Sequence, residues 1–217
     1  MFAAPDHAPS DFDRLPEPMR ELATRGVLRR YRKHAILIEE GSQGDTLHVI
    51  LKGRVKACSF DDRDREVIYG VYGAGDYVGE MSLDGGPRSA SVIALEATTC
   101  AILTRTTLQT HIAAHPEFAF ELLARVIRRA RLATESARSM ALLDVYGRIV
   151  QLLRSLATPE PDGTLWIAER PTHADMAARI GSSREMVSRL LKDLERGGYI
   201  SRQQEGLRIL KRMPSRW

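Results

Sequence analysis

Two patterns of apolar positions divide this chain. Between residues 34 and 103, short runs rich in β-branched and apolar residues recur at 35–38, 46–51, 54–60, 66–72, 91–95 and 98–103. Each has strand length. Turn signals separate them: Gly41-Ser42-Gln43-Gly44-Asp45, Lys52-Gly53, Asp61-Asp62-Arg63-Asp64, Gly73-Ala74-Gly75-Asp76 and Asp84-Gly85-Gly86-Pro87. Short strands at this spacing predict an antiparallel roll or barrel. Ahead of them, residues 18–28 have helix-compatible spacing and predict a short leading helix.

After Pro116, which suits a first-turn position, the pattern changes. Residues 117–143 contain neither Gly nor Pro and predict one helix of roughly 40 Å at about 1.5 Å per residue. Leu123, Val126, Ala130, Ala133, Ala137 and Met140 follow alternating steps of three and four, the period of a two-helix seam. A second helix is expected over 145–156, ended by Thr158-Pro159-Glu160-Pro161-Asp162-Gly163. Two short helices over 172–180 and 183–197 follow, separated by Gly181-Ser182. Segments 199–202 and 207–210 then form a hairpin turning at Glu205-Gly206. Helix, tight glycine turn, helix and hairpin make a winged helix-turn-helix. The expected class is α+β, a jelly-roll-like β-roll joined by a dimerisation helix to that module. The expected domains are 1–116, 117–143 and 144–217.

Composition narrows the partners. Of 217 residues, 43% are apolar and 28% charged, an ordinary globular balance. No apolar run approaches the roughly 20 residues a bilayer demands, and Asp6, Asp11 and Asp13 occupy the N-terminus where a secretory signal would be basic. The expectation is a cytoplasmic protein. Cys58 and Cys100 are too few for a disulfide framework or a four-cysteine metal site, and both fall in expected strands as small buried residues. Up to Leu143 there are 19 Lys/Arg against 19 Asp/Glu. From Asp144 onward there are 13 against 9, so the whole +4 charge lies in the last third. A neutral half beside a basic half suits a sensor joined to a module that meets a polyanion.

The chemistry concentrates at two places. In the second helix of the C-terminal pair, Ser183 is the expected N-cap, and Arg184, Glu185, Ser188 and Arg189 occupy the early turns. Met186, Val187, Leu190, Leu191 and Leu194 supply the buried side. An Arg on that exposed face can donate two hydrogen bonds to guanine in the major groove, and a Glu can accept from cytosine. Thr172, Ser183 and Lys192 are expected to position the helix on phosphates. In the N-terminal half, Gly75-Asp76-Tyr77-Val78-Gly79-Glu80 precedes Pro87-Arg88-Ser89-Ala90. Glycines let backbone N–H groups approach an anion, Arg88 and Ser89 offer a charged fork and a hydroxyl to phosphate oxygens, and Glu80 offers an acceptor to a sugar hydroxyl. A Gly-rich turn with an Arg is also a common structural feature. The histidines His7, His34, His48, His111, His115 and His173 show no paired metal spacing, so no metal site is expected. The strands carry only the isolated His48, so catalysis is not expected either.

These stretches together resemble the bacterial transcription regulators of the cyclic AMP receptor protein and fumarate-nitrate reductase regulator superfamily (Crp/Fnr). The resemblance rests on Ile38-Glu39-Glu40-Gly41 with Leu51-Lys52-Gly53, on Gly79-Glu80 with Arg88-Ser89-Ala90, on residues 143–149 and on the Ser183-Arg184-Glu185 helix. It implies a homodimer that binds a double-stranded operator with two half-sites, with RNA polymerase as a further partner. No tightly bound cofactor is implied. The implied effector is a cyclic nucleotide, cyclic AMP favoured over cyclic GMP or cyclic di-GMP, with Glu80 on the ribose, Arg88 and Ser89 on the cyclic phosphate, and Arg129 joining them. Where the cyclic AMP branch has two adenine-contacting hydroxyl residues, this chain has Ala133 and Thr134. The Arg184, Glu185 and Arg189 pattern matches the family's base readers. The cysteine cluster of the iron-sulfur oxygen sensors has no counterpart in the first 57 residues. A ligand-independent regulator of the same family is the alternative.

Overall fold

The computed structural model describes residues 11–204 and 206–214; Glu205, at the expected hairpin tip, and Asp6, in the acidic N-terminus, lie outside them. The chain packs as two units. The first runs to Asp61 and resumes over Ile68–Arg129; the second comprises Asp62–Val67 and the chain from Ala130 onward.

Eight strands build the first unit: β1 (Val27–Tyr31), β2 (Ile36–Ile38), β3 (Leu47–Lys52), β4 (Arg54–Phe60), β5 (Glu66–Gly73), β6 (Tyr77–Val78), β7 (Ser91–Ala94) and β8 (Thr98–Leu103). They form two four-stranded sheets, ordered β1-β8-β3-β6 and β2-β7-β4-β5. The period-two alternation of a strand explains how β3 buries five residues in a row. Leu47, Val49 and Leu51 enter a core with Leu15, Met19, Leu22, Leu108 and Phe118. Ile50 turns the other way, into a core to which both sheets contribute, with Ile38, Val55, Val78, Val92 and Cys100. Both cysteines are buried and neither is in a disulfide, as their strand positions imply.

Three helices accompany the roll. Helix α1 (Met19–Thr24) is shorter than the leading helix expected from spacing, because Val27 and Leu28 belong to β1 and pair with β8. Strand β1 is mostly exposed, so its side chains give no alternating signal; the ladder to β8 holds it. Helix α2 (Arg105–Ala114) was not anticipated. Its opening turn carries Thr106 and Thr107, which have low helix propensity, and the Thr104 side chain caps it by accepting from the Thr107 N–H. Helix α3 (Glu117–Leu142) has the expected extent within one residue. Leu123, Val126, Ile127, Leu132 and Met140 along it are exposed by 41–61%.

In the second unit, α4 (Val145–Leu156), α5 (His173–Ile180) and α6 (Arg184–Arg196) pack around a sheet ordered β11-β12-β10-β9. Its strands are β9 (Thr158–Pro159), β10 (Leu165–Ile167), β11 (Ile200–Gln203) and β12 (Gly206–Ile209). Strands β9 and β10 carry too few residues for a periodic signal. Tyr146, Ile149, Leu153, Met176, Ile180, Val187, Leu191, Leu194, Leu207 and Ile209 share the core.

Candidate functional site

The loop after β6 carries the first site. Gly79 has φ 94°, in the left-handed region, and a Cβ there would lie 2.7 Å from both Arg88 Nη1 and Thr46 O. Glycine therefore lets the loop close over Arg88. The Arg88 side chain points into the roll: Nη1 donates to Thr46 O (3.0 Å) and Gly79 O (2.9 Å), and Nη2 donates to Thr46 Oγ1 (2.9 Å). The residue is 6% exposed. Burial lowers its pKa, with Asp45 and Glu80 opposing.

Glu80 opens a 3-10 turn (Glu80–Asp84), and its side chain is 10% exposed. Arg129, from α3, places Nη1 2.5 Å from Glu80 Oε1 and donates through Nη2 to Tyr77 O. Its guanidinium lies 4.3 Å from the Tyr72 ring centroid and 5.0 Å from that of Tyr77, within cation–π range. Burial works against the Arg129 charge, but Glu80 outweighs it and raises the pKa. Burial also pushes Tyr77 up to about 12, against Arg129. The structure thus joins Gly79, Glu80, Arg88 and Arg129 around the β6 loop. Ser89 is exposed, with its hydroxyl 3.3 Å from Met81 Sδ. Thr134, in the second unit, donates its hydroxyl back to Ala130 O.

Thr46, Tyr72 and Tyr77 escaped sequence reasoning. Thr46 meets Arg88 across 42 positions, and no motif joins them. The tyrosines read as ordinary strand residues.

His48, on β3, has Nδ1 without a hydrogen-bond partner among the described residues. Burial, followed by Arg88 and Arg29, lowers its pKa from 6.5 to about 4. A folded-state value below the unfolded one keeps the ring neutral in the fold. The associated stability is therefore present above pH 6.5 and lost as pH falls through about 4. Between pH 7.5 and 4, the wild type should lose about 3 kcal/mol more unfolding free energy than His48→Leu. Parallel urea melts check this; identical losses would show that His48 does not titrate in this way.

The second site is the α5–α6 pair. Thr172 and Asp175 form a capping box at α5: Thr172 Oγ1 accepts from the Asp175 N–H (3.1 Å), and the Thr172 N–H donates to Asp175 Oδ2 (3.2 Å). Gly181, with φ 60° and ψ 53°, ends α5 in the left-handed conformation and turns the chain toward α6. Ser183 Oγ caps α6 by accepting from the Met186 N–H. Val187, Leu190, Leu191 and Leu194 are buried, while Arg184, Glu185, Arg189 and Lys192 are exposed on the opposite side. Ser188, one of the expected DNA-binding residues, has its hydroxyl 2.6 Å from His173 Nδ1, which ties α6 to α5. Arg148, for which no role was expected, donates from Nη1 to Leu143 O (2.9 Å) and from Nε to Ile180 O (2.8 Å). It links the end of α3 to the turn before α6.

His111, in α2, and His115, the residue that caps its C-terminus, stand four residues apart with ring centroids 4.7 Å from one another.

A β-roll with an arginine-carboxylate cluster, joined to a winged helix-turn-helix, defines a DNA-binding regulator with a sensor domain. Residues 28–115 match the cyclic nucleotide-binding domain family, and residues 147–213 match the Crp-like helix-turn-helix domain family. The cAMP-activated global transcriptional regulator CRP of Escherichia coli O6:H1 is 33% identical over 181 residues, covering 80% of this chain and 85% of that protein. The CRP-like cAMP-activated global transcriptional regulator of Mycobacterium tuberculosis is 31% identical over 173 residues, covering 78% and 77%. A solved structure of CLP, the c-di-GMP responsive global regulator of Xanthomonas campestris, matches with a TM-score of 0.76 over 89% of this chain and 98% of that one. At 24% identity, that likeness speaks for the fold alone. The chain belongs to the Crp/Fnr family of transcription regulators, and it is a transcription factor, not an enzyme. No helix among the described residues is long and apolar enough to cross a membrane.

Proposed function

We propose that this chain is a cytoplasmic homodimer whose affinity for a two-half-site operator is set by a cyclic nucleotide, cyclic AMP, held at the β6 loop. Domains 1–116, 117–143 and 144–217 would sense, dimerise and bind DNA. The partly buried pairing of Glu80 with Arg129 carries the reading. A cyclic nucleotide offers a ribose hydroxyl to Glu80 and a phosphate to Arg88 and Ser89, so it changes what holds Arg129 on α3. Helix α3 ends at Leu142, and Arg148 holds the carbonyl of the next residue, Leu143, together with that of Ile180. An effector shifts such an element only through its differential affinity for two states. The relatives of 33% and 31% identity, both described as cAMP-activated, support cyclic AMP. RNA polymerase is proposed as a partner from the same kinship.

One observation favours a second reading, a ligand-independent regulator or one with another effector. Arg88 already commits three of its five N–H donors to Thr46 and Gly79, and Ala133 supplies no hydroxyl for adenine. Calorimetric titration separates the readings. Cyclic AMP binding more tightly than cyclic GMP or cyclic di-GMP supports the first; no binding, or preference for cyclic di-GMP, supports the second.

The exposed apolar row on α3 supports the dimer, since about 40–50% exposure of Leu123, Val126, Ile127 and Met140 leaves a face that a partner helix would cover. Replacing Ala130 and Ala137 together with Glu should give monomers in sedimentation. Wild-type protein that sediments as a monomer at micromolar concentration would overturn the dimer.

A further inference from the structure

We propose that Glu21, His111 and His115 form a binding site for a borderline divalent cation such as zinc, which clamps α1 to the corner between α2 and α3. One ligand atom from each residue lies within 4.8 Å of the others. Tetrahedral zinc with bonds of about 2.0–2.1 Å needs donor separations of about 3.3 Å, within reach of small side-chain rotations.

The strongest observation is His111. It is 0% exposed, and neither ring nitrogen has a hydrogen-bond partner among the described residues. Buried polar atoms are nearly always paired, so an orphaned imidazole calls for an explanation, and a bound ion is one of the few available. A metal ion would take the ring's lone pair. The ring is fixed edge-on to Phe118, with centroids 5.0 Å apart, and lies 4.7 Å from the His115 ring.

The neighbours suit this role. Glu21 Oε2 lies 2.9 Å from His115 Nε2, while Arg25 Nη2 holds Glu21 Oε1 at 2.6 Å and orients the carboxylate. On the far side of the His115 ring, Nδ1 lies 3.6 Å from Glu117 Oε1. A carboxylate beside the second nitrogen of a ligating imidazole fixes its tautomer and orientation. Two imidazoles and one carboxylate favour zinc, cobalt, nickel or copper over magnesium or calcium. None of these residues belongs to the nucleotide or DNA sites, so the site stands apart from both.

The test uses untagged, chelator-treated, full-length protein titrated with cobalt(II), followed by zinc. The expected result is one equivalent per chain, a tetrahedral cobalt absorption displaced by zinc, and a zinc-dependent rise in melting temperature. His115→Gln and Glu21→Gln should each weaken cobalt binding at least tenfold and abolish the thermal shift. Both positions are partly exposed, so these variants avoid the packing defect that loss of buried His111 would bring. Absence of the tetrahedral spectrum in the wild type would overturn the site, leaving Glu21 and His115 as an ion pair only. Unchanged affinity in both variants would overturn it too, by placing the metal elsewhere.

Discussion

Replacing Arg88 with leucine should lower cyclic-nucleotide affinity at least about a hundredfold, equivalent to about 3 kcal/mol. The magnitude follows from two lost charge-assisted hydrogen bonds of about 1.5–3 kcal/mol each. The substitution also acts on the fold, because Arg88 donates to Thr46 O and Gly79 O inside the roll. Stability should fall by about 1–3 kcal/mol for the acceptors left unpaired. Glu80→Gln gives an independent check: it retains shape but removes the charge that pairs with Arg129 and faces the sugar hydroxyl. Calorimetry on both variants, each shown folded by circular dichroism, reads the effect. Full affinity in both would remove the β6 loop from consideration as the effector site.

At the DNA end, Arg189→Ala should flatten preference at one base pair, whereas Lys192→Ala should weaken all sequences alike. Each bidentate contact to a base discriminates by about 1–3 kcal/mol, while a phosphate contact shows itself as a salt slope reduced by about one. Arg184 and Glu185 lie on the opening turn beyond the Ser183 cap, and Arg189 follows one turn later on the same exposed side. Binding-site selection with the parent and both variants separates the roles. If Arg189→Ala keeps the parent's full preference, α6 does not read the bases through Arg189.

The sequence made the long-range plan visible where physical signals were local. Strand β4 and α3 could be bounded almost to the residue, one by the turn signals Lys52-Gly53 and Asp61-Asp62 on either side and the other by 26 residues free of Gly and Pro. The Ser183 cap and the Gly181 turn were legible because capping and left-handed backbone each demand particular residue types. What escaped depended on distant partners. Strand β1 exists through its ladder with β8, 67 to 75 positions away, and its exposed side chains carry no pattern. The same reason hid Thr46 behind Arg88 and the tyrosines around Arg129. Ser188 looked outward by helical spacing, yet its short hydroxyl side chain bonds His173 on the neighbouring helix.

Operator affinity of the wild-type dimer, measured at fixed salt with and without saturating cyclic AMP, tests the central claim most directly. Fixed salt matters because phosphate contacts make affinity steeply salt-dependent. The account predicts that cyclic AMP changes operator affinity by about 5- to 150-fold, and that operator DNA changes cyclic AMP affinity by the same factor, as linkage requires. Equal operator affinity in the two states, from protein that demonstrably binds the nucleotide, would contradict it.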